Sequence, residues 1–181
     1  MTTTDVSDRP STTSSSVADL GLLILRISVA ASMIQAGAIK ATDMGTTIEF
    51  MESGGWRMST FAAYLITSTE LAGGLGLLIG FLTPLAACGI VAAMIDAWAA
   101  NVSGAAVWAD PFNVPFLVAF AAATLLFTGA GVYSVDARVF GRARWPGAVS
   151  ITLFVVAVAA AVSTWVFLNG TNPFHLTEQS G

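Results

Sequence analysis

The chain has 181 residues, 55% of them hydrophobic and 10% charged, with a net charge of −4 and a mean hydropathy of +0.77. Soluble domains carry charge on about a quarter of their residues, so this composition is that of an integral membrane protein with no room for a separate soluble catalytic domain. The seven Lys and Arg leave no basic footprint for nucleic acid, and the single cysteine, Cys88, excludes an internal disulfide, a CxxC pair or a thiolate cluster.

Residues 1–16 are rich in Ser, Thr and Asp and read as a disordered polar tail, because they lack the apolar content that offsets chain entropy. Five apolar runs follow, predicting membrane helices at Leu20 to Lys40, Phe61 to Leu82, Leu85 to Asn101, Phe116 to Gly131 and Ala148 to Leu168. The first is a permanent helix rather than a signal peptide, since its leader is nearly uncharged and Arg26 interrupts it. The organisation expected is a four-helix core over 17–145, a fifth membrane helix over 146–168 and an external tail over 169–181. Pro84 leaves almost no loop between the second and third spans and forces an antiparallel hairpin.

Arg138, Arg142 and Arg144 occupy the short loop between spans four and five, which the positive-inside rule holds in the cytoplasm. That places the N-terminus inside and the C-terminus outside, with Trp56, Trp108 and Trp165 in the interfacial belt and Lys40 and Arg57 as exceptions on the outer side. Between Ala41 and Trp56, the apolar Ile48, Phe50 and Met51 among Asp43, Glu49 and Glu52 fit either a short surface helix or an ordinary loop.

Charge at membrane depth is costly and marks a site or a partner. Glu70 lies twelve residues from the inner end of its span and Asp96 eleven into the next, so both sit roughly 17–18 Å up. Arg26 is about 9 Å up on the same rise, and the expected buried cluster is Arg26, Glu70 and Asp96. Two carboxylates facing one guanidinium favour protonation of one acid, the chemistry of a proton carrier or of a donor to a carbonyl. The competing readings are a salt bridge that locks the bundle's register and a contact with another protein. Gln35 is out of phase with Arg26 and faces another helix or lipid.

Glycines flank Glu70. Gly73 and Gly74 let neighbouring backbones approach it, and Gly76 and Gly80 form with Ala72 a second small-residue face for helix packing. The lone His175 excludes paired-histidine haem ligation and a histidine metal cage within this chain, and no metal site is expected. Asn169, Gly170 and Thr171 match a glycosylation sequon.

The runs LLILRISVAASMIQAGAIK in span one, ELAGGLGLLIGFLTPLAA from Glu70 to Ala87 and GAGVYSVDARVFGR from Gly129 to Arg142 resemble the DoxX family of small membrane proteins. The resemblance covers about Leu20 to Arg142. It implies an all-α, DoxX-like four-helix core, to which this chain adds the fifth helix as a docking surface, and Asp96 departs from the family's more usual apolar residue. It further implies a bacterial cell membrane and association with redox and respiratory complexes.

The chain holds no haem, flavin, metal or thiol centre in its sequence, so the expectation is a non-catalytic accessory subunit that stabilises a quinol or cytochrome oxidase or a supercomplex. It would bind no cofactor alone, beyond possible contact with lipid or quinone, and its partners would be membrane lipids and respiratory subunits. The alternatives are a quinone-interacting subunit of a membrane oxidoreductase, with Glu70 and Asp96 on the headgroup, and a small proton-coupled transporter.

Overall fold

The computed structural model describes residues 12–103 and 111–171. Trp108, His175 and the first eleven residues, on which parts of the sequence reading fall, lie outside that range. The regular elements among the described residues are all helical: α1 (Thr12–Thr42), α2 (Met44–Ser53), α3 (Ser59–Ile79), α4 (Thr83–Ser103), α5 (Val114–Thr128), α6 (Val135–Val139) and α7 (Gly147–Thr164), which runs into a π-turn at Trp165–Asn169.

Among the described residues, four segments are long and apolar enough to cross a membrane: Val17–Thr42, Ser59–Ile79, Thr83–Val102 and Gly147–Asn169. The fourth expected span is a shorter apolar helix, α5, whose 15 residues reach only about 22 Å. It starts where the Asn113 side chain accepts the Phe116 amide at 3.3 Å, with Pro115 in its first turn. Helix α1 begins at Thr12, inside the stretch expected as a tail, because extending a helix already nucleated by an apolar run costs little per residue.

The Asp43 carboxylate caps α2 by accepting the Thr46 amide at 3.1 Å and the Thr46 hydroxyl at 2.8 Å. This settles the Ala41 to Trp56 segment as a short helix. It packs Met44, Ile48 and Met51 with Trp56 against Ala62, Ala63 and Ile66 of α3.

Close packing through small residues fixes how α1 lies on α3. A Cβ at Gly74 would stand 3.1 Å from the Ile34 amide nitrogen and 3.2 Å from the Ala30 carbonyl oxygen, and one at Gly37 would stand 3.1 Å from the Leu71 nitrogen. Gly73 and Gly76 turn the other way, toward Ile90 and Ala86 of α4. Gly80 belongs to neither helix face. It ends α3 in the left-handed conformation, φ +69°, and a side chain there would strike Ser134 and the Arg26 guanidinium.

The antiparallel α3–α4 hairpin is closed from outside the pair. Asp136, fully buried, accepts the amides of Leu82 and Thr83 at 2.7 and 2.9 Å and the Trp145 indole N–H at 3.2 Å. Its own amide donates to the Gly80 carbonyl at 2.8 Å. Helix α7 packs mainly on α4, and the Cys88 thiol donates to the Leu153 carbonyl at 3.2 Å across that contact. At its far end the buried Asn169 donates to the Gly54 carbonyl at 2.9 Å, the Arg57 amide donates to Leu168 at 2.6 Å, and Trp165 meets Trp56 edge-on at 5.7 Å.

Candidate functional site

The alignment of α1 and α3 decides which cation meets Glu70. With Gly37 level with Leu71 and Ile34 with Gly74, Lys40 comes level with Glu70 and Arg26 comes level with Gly80. The Lys40 ammonium donates to both Glu70 oxygens, at 2.9 and 2.8 Å. Glu70 is 3% exposed, whereas the Lys40 side chain is 27% exposed and reaches the pair from the end of α1.

Arg26 is therefore not part of a cluster with the two acids. Fourteen residues from Lys40, it is about 21 Å away along the helix, where its guanidinium donates to the Ala130 and Tyr133 carbonyls at 2.6 Å each. These carbonyls belong to the turn that follows α5, so Arg26 ties α1 to that turn. The sequence heights failed because they assume that the inner ends of spans one and two coincide. Helix α1 in fact overhangs the end of α3 by several residues, and Asp19 accepts the Val132 amide at 3.2 Å in that overhang.

Asp96 does share its surroundings with Glu70. Both line a cavity of about 380 Å³ enclosed by α3, α4 and α7 and by Met51 and Trp56. Asp96 is 9% exposed, and no described residue hydrogen-bonds its carboxyl group. Its oxygens are not sealed in the protein as the unpartnered Arg26 Nε, Thr83 Oγ1 and Ser150 Oγ are, so they face the cavity, where water or a ligand can bind them. The groups on the wall are thus unequal: Glu70 is neutralised by Lys40, and Asp96 is free to bind whatever enters.

The remaining wall is mostly apolar or small, with Thr69, Asn101 and Thr164 as its other polar groups. Gly89, Ala92, Ala93, Ala97 and Ala100 of α4 form the back, and Leu65, Ile66 and Thr69 of α3 form one side. Ala160 and Thr164 of α7 form the other side, so the fifth helix, expected to be a docking surface, also walls the site. The small residues around Asp96 leave the space that larger side chains would fill. The arrangement can orient an oxygen-bearing headgroup between an ammonium and a carboxyl group and shield it with hydrocarbon.

Lys40 was legible in the sequence only as an exception to the charge rule for topology. A lysine within two residues of a helix end, facing a glutamate on the next helix, is the available signal, but it discriminates only once the helices are aligned. Gln35 is exposed on the outer face of α1 and makes no hydrogen bond to another described residue. In the folded chain the sequon residue Asn169 is not presented to solvent: its side chain is 3% exposed, donates to Gly54 and accepts the Thr171 amide at 3.0 Å.

Residues 21–102, a stretch that carries Lys40, Glu70 and Asp96, match the DoxX family model. The α7 wall of the cavity lies beyond the match. No curated protein and no solved structure shows significant similarity to the chain.

Proposed function

We propose that this multi-span membrane protein with a DoxX match over residues 21–102 serves as an accessory subunit of a respiratory membrane assembly, and that its contribution is to hold a quinone headgroup for a redox partner. The observation that carries the reading is the cavity in which the Lys40–Glu70 pair and Asp96, which has no hydrogen-bond partner among the described residues, stand on largely apolar walls broken by Thr69, Asn101 and Thr164. A quinone ring presents oxygens on opposite edges, which suits a site with a cationic donor and a carboxyl group, and its hydrocarbon tail suits the walls. The chain itself supplies binding and orientation, and electrons pass through the partner.

Gln35 supports the partner half of the reading. A carboxamide directed at lipid gains by pairing with another helix, and Ser28, Ala31 and Ser32 on the same exposed face allow close approach. On this reading the end that carries Arg138, Arg142 and Arg144 faces the cytoplasm of a bacterial cell, as the positive-inside rule favours, with the cavity nearer the external leaflet.

Purification of the tagged protein in mild detergent, followed by mass spectrometry, visible absorption and solvent extraction, tests both halves. Haem-bearing oxidase subunits in fixed ratio and about one extracted quinone per chain are expected. A partnerless protein refutes the accessory role, and a quinone-free complex refutes the headgroup site.

A further inference from the structure

The cavity is too small for a whole membrane quinone. Its volume of about 380 Å³ lies near the lower limit of ligand pockets, about 300–1,000 Å³, which accommodates a ring and leaves a long isoprenoid tail outside. The tail must leave through a gap in the wall, and the helix arrangement limits where that gap is.

Helices α3 and α7 both pack on α4 but have no extended packing on each other. The residues that face across this space are short or at the rim: Leu65, 40% exposed, and the half-buried Thr69 on α3, with the exposed Ala160 and half-buried Thr164 on α7. Elsewhere the site is backed by α4, and at the Lys40 end Met51 and Trp56 stand over it. The Asn169–Gly54 hydrogen bond and the Trp56–Trp165 contact hold that cover to the end of α7.

Resting on the quinone reading above, we infer that the ligand enters sideways from the bilayer between α3 and α7, leaves its tail in that gap, and is selected for its tail by Ala160 and Thr164. These two residues are specificity determinants that lie outside the matched stretch. The ring is held deeper, at Lys40, Glu70 and Asp96, so the two regions discriminate different parts of one molecule. The physical reason is steric: a methyl or hydroxyethyl side chain at the rim leaves room for a chain of methylenes, and a large aromatic one does not.

The test uses the full-length protein in detergent and two quinones that share a ring, one without a tail and one with a long isoprenoid tail. Binding is read as quenching of tryptophan fluorescence, Trp56 lying on the cavity wall. The variants are Ala160→Phe and Thr164→Phe, with Ala159→Phe, on an exposed position of α7 that does not line the cavity, as the control for added bulk.

Expected is binding of both quinones to the wild type, roughly tenfold weaker binding of the tailed one in either rim variant, unchanged binding of the tailless one, and no change in Ala159→Phe. Equal affinities for both quinones in wild type and both rim variants overturn the lateral portal. So does equal weakening of both quinones in the rim variants. Failure of the wild type to bind either quinone overturns the headgroup reading itself, a result separate from any effect at the rim. If one rim variant does not fold, the other, a turn away on the same helix, carries the test.

Discussion

Lys40 and Glu70, thirty residues apart in sequence, form a two-pronged ion pair of 2.8 and 2.9 Å between α1 and α3, and this contact leaves Asp96 as the carboxyl group on the cavity wall with no partner among the described residues. A charge on Glu70 is tolerated because its countercharge enters from a helix end where the Lys40 stem still touches the surface. The pair is at once a register lock and one side of the candidate site.

Removing one partner strands the other. Lys40→Met is expected to destabilise the protein by about 3–5 kcal/mol, with most of the loss restored in the Lys40→Met, Glu70→Gln double variant. Thermal unfolding in detergent measures this. A double-mutant cycle should give a coupling of about 2–3 kcal/mol or more for Lys40 with Glu70 and none within error for Arg26 with Glu70; coupling of Arg26 to Glu70 would contradict the helix alignment.

Asp136 binds the two leading amides of the α4 turn and the Trp145 indole. Asp136→Ala leaves the buried Thr83 amide without an acceptor, at a cost of about 1–3 kcal/mol, and deprives the half-buried Leu82 amide and Trp145 indole of theirs at a smaller cost, since water can reach them. Asp136→Asn retains one acceptor oxygen and should lie between the two. A melting temperature for the alanine variant equal to wild type would show that the hairpin closes without this cap.

Glycine positions differ sharply in what they tolerate. Gly74→Ala drives a methyl group into the α1 backbone and should cost about 1–3 kcal/mol, because the Ala30 and Ile34 main chain cannot step aside. Gly147→Ala meets nothing within 4 Å and should be neutral or slightly stabilising. Unfolding midpoints of the two variants decide the order.

Asn169 is committed to the clasp with Gly54. Expression in a host that glycosylates exported proteins should yield no added mass at Asn169, and Asn169→Ala should speed proteolysis of the α2–α3 turn around Gly54 and Trp56. A glycan on Asn169 would mean that the clasp opens before folding is complete.

Asp43 gives one pH-dependent contact outside the spans. The Thr46 amide, and then its hydroxyl, hold the Asp43 carboxyl group below its ordinary value. A lowered folded-state value contributes stability above the ordinary carboxylate range, and the contribution fades as pH falls through the folded value. The α2 amides, above all Thr46, should therefore lose protection in acid relative to their intrinsic exchange rates, and Asp43→Ala should remove that dependence when followed by hydrogen exchange.

Much of this architecture was open to reading in the chain. The runs of apolar residues, Pro84, the arginine-rich loop and the glycines after Glu70 define a helical membrane bundle with a tight hairpin, because hydrocarbon forces backbone groups to bond within each helix and length alone then reports a span. The same reasoning singled out Glu70 and Asp96, which share one cavity, and it gave Gly73, Gly74 and Gly76 to helix packing.

The sliding of one helix against another was decided only in three dimensions. An apolar helix loses little by shifting a turn along its neighbour, since lipid and protein hydrocarbon are alike as solvents; the alignment comes from where Gly37 and Gly74 allow backbones to touch and where Gly80 admits the Arg26 guanidinium. A shift of a few residues exchanges Arg26 for Lys40 as the partner of Glu70. The position of α7 is likewise tertiary: its sequence shows an apolar helix, and only its packing on α4, with Asn169 clasped to Gly54, makes Ala160 and Thr164 a wall of the cavity.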